Sequence, residues 1–140
     1  MTAHLTVRSG RLALLARPVA TAALTGTAVL AVALVDPNEP GRYPSCPFLS
    51  LTGLYCPGCG SLRAVHALTN GDVTLAVGLN VLTVLAVVAL PVIWARWVQR
   101  TWTGAPRAAI APAGYIWSLL VVVLVFGVLR NLPMGAGLAP

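Results

Sequence analysis

VTLAVGLNVLTVLAVVALPVIW, residues 73–94, carries no charged side chain and a single amide, Asn80. As a helix rising 1.5 Å per residue, its 22 residues reach ~33 Å, enough to cross the hydrocarbon core of a bilayer. Asp72 stands before it at the N-cap position, after the turn pair Asn70-Gly71. Two further apolar runs flank this one. Residues 19–35 follow Arg17-Pro18 and end at Asp36, Pro37, Asn38 and Glu39; residues 113–129 lie between Pro112 and Arg130. The 140 residues are 58% hydrophobic and 9% charged, where a soluble domain carries about 25% charged residues. So few polar groups cannot cover a water-exposed surface. The expected fold is an all-α membrane protein of three transmembrane helices, forming one unit without a second domain.

The segments that follow from this reading are a basic N-terminal stretch 1–18, span one 19–35, a Cys-rich stretch 36–72, span two 73–94, a basic loop 95–112, span three 113–129 and a tail 130–140. All nine basic residues are arginine. Arg8, Arg11, Arg17, Arg96, Arg100 and Arg107 fall on one side of the membrane; Arg42, Arg63 and Arg130 fall on the other, together with all three acids, Asp36, Glu39 and Asp72. The positive-inside rule then puts the N-terminus in the cytoplasm and the Cys-rich stretch on the outer face of the cell membrane. Trp94, Trp97, Trp102 and Trp117 gather near the inner interface, as an aromatic belt does. A cleaved signal peptide is the competing reading of span one, with Ala31-Val32-Ala33 as its cleavage triplet; the length of the run favours a retained helix. The arginines form no dense patch with interleaved stacking aromatics, which excludes nucleic acid as a partner. The expected partners are the lipid bilayer and, through it, a second copy or another membrane protein.

The chemistry is concentrated in CPFLSLTGLYCPGCGSLRAVHALTNGD, residues 46–72, which holds all three cysteines. Cys46-Pro47 opens an irregular segment, Thr52-Gly53 marks a turn, and Cys56-Pro57-Gly58-Cys59-Gly60 is a tight turn. Ser61 is positioned to N-cap a short helix over 62–69. Phe48, Leu49, Leu51, Leu54 and Tyr55 make the stretch too apolar for a free loop, so it forms an interfacial hairpin. Three chemistries compete for its thiols. Cys-Pro-x-Cys-Gly is a metal-binding knuckle, in which the short spacer lets two thiolates grip one ion and the following Gly permits left-handed backbone. Cys46 and His66 complete a Cys3His set for zinc in number, although zinc sites usually bring a second close pair. Alternatively, Cys56 and Cys59 at a helix start form a redox-active pair with lowered thiol pKa. In the third reading the thiols are packed or form a plain disulfide.

Four polar residues stand out as structural. Arg63 shares a helical face with His66. Asp72 caps span two. Asn80 lies about two turns below the outer end of that span and seeks a partner across a helix interface. Arg130 closes span three, where it either pairs with Asp72, Asp36 or Glu39 or serves as an interfacial anchor. Ala22 and Gly26, and Gly114 and Ser118, sit four apart and suit close helix contact. No paired carboxylates, phosphate loop or Ser/His/Asp arrangement appears, and the reading leans away from an enzyme.

Cys46-Pro47, Thr52-Gly53, Cys56 to Gly60, Arg63-Ala64, Gly71-Asp72 and Asn80 together resemble a bacterial membrane-protein family, the domain-of-unknown-function family 2752, over roughly residues 43–91. The resemblance implies a small integral membrane protein and no assigned activity. The family pattern does not require a histidine at the position of His66. That leaves a metal site to be completed by another chain or by Asp72. The leading function is a non-enzymatic membrane protein whose cysteines, through a disulfide or a metal, structure the hairpin for partner contact. A thiol-redox protein using Cys56 and Cys59 is the second reading, and a small transporter component using Asn80 and Arg130 the third.

Overall fold

A computed structural model describes residues 3–105 and 112–139. Helix α1 runs over Ala3–Leu34, α2 over Pro47–Thr52, α3 over Ser61–Thr69, α4 over Val73–Thr103 and α5 over Ala113–Leu129, followed by a short 3-10 helix, Pro133–Leu138. No strand occurs among the described residues. Two stretches, Ala13–Leu34 and Val73–Thr103, are long and apolar enough to cross a membrane; Ala113–Leu129 is a shorter apolar helix.

Helix ends and apolar ends do not coincide. α1 already begins at Ala3, ahead of the apolar run that starts at Val19, and it contains Pro18 in its interior. α4 continues to Thr103, where Gly104 turns left-handed and donates to the Arg100 carbonyl. The segment after Trp94 is therefore helical through Thr103. Polar side chains such as Arg96 and Gln99 continue the helix, because intrahelical hydrogen bonds do not depend on hydropathy. Arg107 lies outside the described residues.

α3 and the start of α4 form an antiparallel helical hairpin whose tip is Asn70-Gly71. Asp72 caps α4 by accepting a 2.8 Å hydrogen bond from the Leu75 N–H. The two helices close on one another through Ala64, Ala67 and Ala76, with Leu68, Leu79 and Val84 around them. Small side chains permit this close approach, and dispersion between tightly packed surfaces holds it where hydrophobic exclusion from water is weak. α1 lies against both members of the hairpin. Outside this contact, apolar surface is left uncovered. Val88, Trp117, Leu119 and Val128 are each more than three-fifths exposed, and only Phe126 of α5 is buried. Helices apolar all round that bury little of themselves suit a lipid solvent.

α4 is broken at Asn80, whose backbone (φ −165, ψ 98) is extended. The sequence reading did not foresee this interruption. It divides α4 into a short N-terminal piece and a long C-terminal one, and the Asn80 side chain caps the longer piece by accepting from the Thr83 N–H at 3.1 Å. Broken helices are tolerated at membrane depth only where protein satisfies the freed backbone groups.

Candidate thiol centre

Cys46 stands at the N-cap of α2 in extended backbone, with Pro47 at the first helical position, where a missing N–H costs nothing. The segment expected to be irregular is thus a short helix. Left-handed Gly53 ends it, and the chain doubles back so that Cys56 returns to Cys46. Cys56 to Cys59 is a tight turn, with the Cys59 N–H donating to the Cys56 carbonyl at 3.0 Å. Gly60, not Ser61, occupies the N-cap of α3, at φ 82. Any side chain there would be strained, so the glycine after the second cysteine is a requirement of the turn.

This path brings three sulfurs together. Cys46 Sγ lies 3.5 Å from Cys56 Sγ, Cys56 Sγ lies 3.1 Å from Cys59 Sγ, and all three fall within 4.8 Å of one another. A disulfide requires about 2.05 Å; the edge of a tetrahedral zinc–thiolate site is about 3.8 Å for bonds of 2.3 Å. The thiols are gathered without being joined. They differ in acidity. The Leu49 N–H and then the Cys56 thiol hold Cys46 below the ordinary thiol value, whereas burial and then the Cys56 thiol push Cys59 up to about 12. A cleft of about 320 Å³ opens onto Cys46 and Cys59, with Tyr43, Tyr55 and Arg63 among its walls.

Behind the thiols the backbone carbonyls of the same turn point inward, and two side chains receive them. Asn80 Nδ2 donates to the Pro57 carbonyl at 2.9 Å and to the Cys59 carbonyl at 3.0 Å. It also lies 3.3 Å from Ser61 Oγ, which in turn accepts from the Thr83 hydroxyl at 2.8 Å. Arg130 Nη1 donates to the carbonyls of Cys56 at 3.0 Å and Cys59 at 3.1 Å. Its Nη2 reaches the Leu79 carbonyl at 3.4 Å, beside the break in α4. Both residues are 1% exposed. The Phe126 ring, 5.0 Å from the guanidinium carbon, covers one side of it.

Two sequence expectations are corrected here. Arg130 does not pair with Asp72, Asp36 or Glu39. Asp72 caps α4, Glu39 holds Arg42 at 2.7 Å, and Asp36 accepts from the Asn38 backbone and amide, which lowers its carboxyl pKa. Carbonyls receive its two terminal nitrogens instead, while the buried Nε has no partner among the described residues. His66 does not join the thiols: its Nδ1 donates to the Val32 carbonyl at 2.8 Å, and Nε2 lies 3.8 Å from Asp36. Two helical turns along α3, it fastens that helix to the end of α1. Asp72 is likewise committed to its cap and supplies no fourth ligand.

Asn131 was not singled out as a site residue. Its Oδ1 accepts from the Tyr55 N–H at 2.8 Å and its Nδ2 donates to the Tyr55 carbonyl at 2.9 Å, so its amide pairs with the loop as a neighbouring strand would. The sequence signal was an Arg-Asn pair ending an apolar helix with no acid beside it. Gly127, one turn earlier, permits the approach; a Cβ there would stand 2.9 Å from Pro57 Cγ.

The fold and site define a class: an all-helical chain with membrane-length apolar helices and a three-thiol cluster clasped from behind by a buried arginine. Residues 46–94 match the protein family of unknown function DUF2752, so the resemblance read from the motif residues holds over that stretch. No curated protein and no solved structure matches the chain.

Proposed function

We propose that this chain is a three-span integral membrane protein whose thiols form a soft-metal centre, with zinc the ion of choice, that stiffens an outer-face hairpin for contact with a partner. One observation carries this reading: three thiols converge in front of a buried guanidinium that has no carboxylate partner among the described residues. A buried cation without a counter-charge is costly. Three thiolates around a divalent ion carry a net charge of minus one, which balances Arg130. Zinc accepts four ligands, and the three cysteines leave one position open toward the cleft at Arg63. A partner side chain, a second copy of this chain or water fills it there. An open position facing outward suits recognition or handover of the ion better than a closed structural knot.

The membrane topology belongs to the same proposal. α5, at 17 residues, spans about 26 Å and crosses with little tilt, the N-terminus is cytoplasmic, and the hairpin lies on the outer face. Thiol redox chemistry is the second reading, favoured by the 3.1 Å approach of Cys56 to Cys59. The transporter reading loses ground, because Asn80 and Arg130 are consumed in holding the loop.

The deciding experiment is the metal content and intact mass of the full chain purified in detergent without reductant. The expected result is one zinc per chain, lost in Cys46→Ser, Cys56→Ser and Cys59→Ser. A metal-free protein lighter by two hydrogens than its reduced form would overturn the metal centre and install the redox reading.

A further inference from the structure

At the end of the helices opposite the thiols, α1 and α4 enclose a cleft of about 750 Å³ lined by Leu14, Arg17, Ile93, Arg96, Trp97 and Arg100, among others. The two helices are fastened to one another next to it. Pro18, which follows Arg17, is fully buried, and the Trp94 indole, which follows Ile93, donates to the Pro18 carbonyl at 3.0 Å. Three guanidiniums share this cleft, and no acidic residue lies near it. Asp36, Glu39 and Asp72 are the only acids in the sequence, and all three sit at the other end. Arg96 and Arg100 stand one turn apart on α4, an arrangement of like charges that repels unless an anion lies between them. The dipole at the end of α4 accounts for Arg100, which lies in the last turn, but not for Arg96 or Arg17.

The other large side chains of the wall, Leu14, Ile93 and Trp97, are apolar, and Thr101 is the one hydroxyl among the lining residues. A cleft that joins guanidiniums to hydrocarbon at the end of a membrane-length helix matches an amphiphile with a phosphate at the boundary. We propose that it binds the phosphodiester headgroup of an anionic phospholipid. Arg17, Arg96 and Arg100 meet the phosphate, and Trp97 and Ile93 meet the glycerol and first acyl carbons. Bidentate guanidinium donation suits phosphate oxygens, and the volume is that of a small-molecule site. The inference is independent of the thiol centre.

The test is native mass spectrometry of the full chain in neutral detergent, where membrane orientation plays no part. Phosphatidylglycerol, phosphatidylcholine and inorganic phosphate are titrated separately. Phosphatidylglycerol is expected to bind at least tenfold more tightly than phosphatidylcholine, and inorganic phosphate is not expected to displace it. Arg17→Gln, Arg96→Gln and Arg100→Gln should each weaken it about fivefold, the usual worth of one basic residue at a lipid surface. Arg42→Gln, the same charge loss at the other end, should leave it unchanged. Equal binding of the two lipids by the wild-type chain overturns the proposal without recourse to any variant. Displacement by inorganic phosphate at comparable concentration assigns the cleft to a soluble anion and overturns the lipid. An equal loss in Arg42→Gln reduces the effect to net charge and overturns the site.

Discussion

Asn80 performs two separable tasks, and substitution can pull them apart. Its Oδ1 caps the longer, C-terminal piece of α4 through the Thr83 N–H, and its Nδ2 donates to the carbonyls of Pro57 and Cys59. Replacing it with alanine removes a cap, at a cost of about 1 kcal/mol, and two donated hydrogen bonds, at a net cost of about 1 kcal/mol each. Both carbonyls retain contact with Arg130 Nη1, so the full penalty of orphaned buried acceptors is not added. The total, about 3 kcal/mol, raises the local opening constant of the cysteine turn roughly a hundredfold. Asn80→Asp is the discriminating variant. Aspartate caps a helix as well as asparagine does, but it has no N–H for the two carbonyls and sets oxygen against oxygen at about 3 Å. The expected order is therefore wild type, then Ala, with Asp no better than Ala. The assay is the alkylation rate of Cys59, buried at 8% exposure, in the full chain treated with a chelator and mapped by peptide mass. A rate in Asn80→Asp equal to wild type would show that the cap alone matters, and an unchanged rate in Asn80→Ala would remove Asn80 from the site altogether.

Gly127→Ala should destabilise the docking of α5 by ~1–3 kcal/mol through the clash with Pro57, visible as lowered thermal stability in detergent and faster labelling of Cys56. His66→Leu loses the tie to Val32 and should cost about 1 kcal/mol, yet leave metal content unchanged; metal loss in that variant, with the fold retained by circular dichroism, would restore histidine as a ligand. In the metal-free chain Cys46 should alkylate ahead of Cys59 at neutral pH, since its thiolate forms below the ordinary thiol pKa while that of Cys59 is displaced upward to about 12. The same upward displacement sets a sign for stability. The contribution of protonated Cys59 is intact below the ordinary thiol value of 9.0 and is lost as pH rises from there toward about 12. Denaturant midpoints that rise across that alkaline window would contradict it.

Local grammar made part of this legible. Asp72 after Asn70-Gly71 announces a capped helix, and the cap is there. A glycine after a paired cysteine announces left-handed backbone, and Gly60 supplies it. Two of the three apolar runs fall in membrane-length stretches and the third in a shorter apolar helix, because hydrocarbon admits few charges. The partners of Arg130 were not legible. Acids are rare and conspicuous, so a sequence suggests them first, whereas every residue carries a carbonyl and none can be picked out as the acceptor. The break at Asn80 was hidden for the same reason: its cause is a set of carbonyls more than twenty positions away in the chain. His66 misled by number. It made four ligands with the cysteines, but six residues beyond Gly60 it has climbed about 9 Å along α3, past the reach of an ion held at the turn.

The clasp on the cysteine turn has a consequence for biogenesis. Arg130 is separated from Cys59 by 71 positions. At about 5–20 residues per second, translation produces the thiols several seconds before the guanidinium that neutralises their surroundings. Until α5 docks, the turn is held by Asn80 alone and its sulfurs have no guanidinium behind them. Metal captured in that interval would be held weakly and exchanged easily. On the metal-centre reading proposed above, maturation of the centre would report that α5 has docked, and a nascent chain stalled before Arg130 would leave its thiols open to oxidation and mispairing.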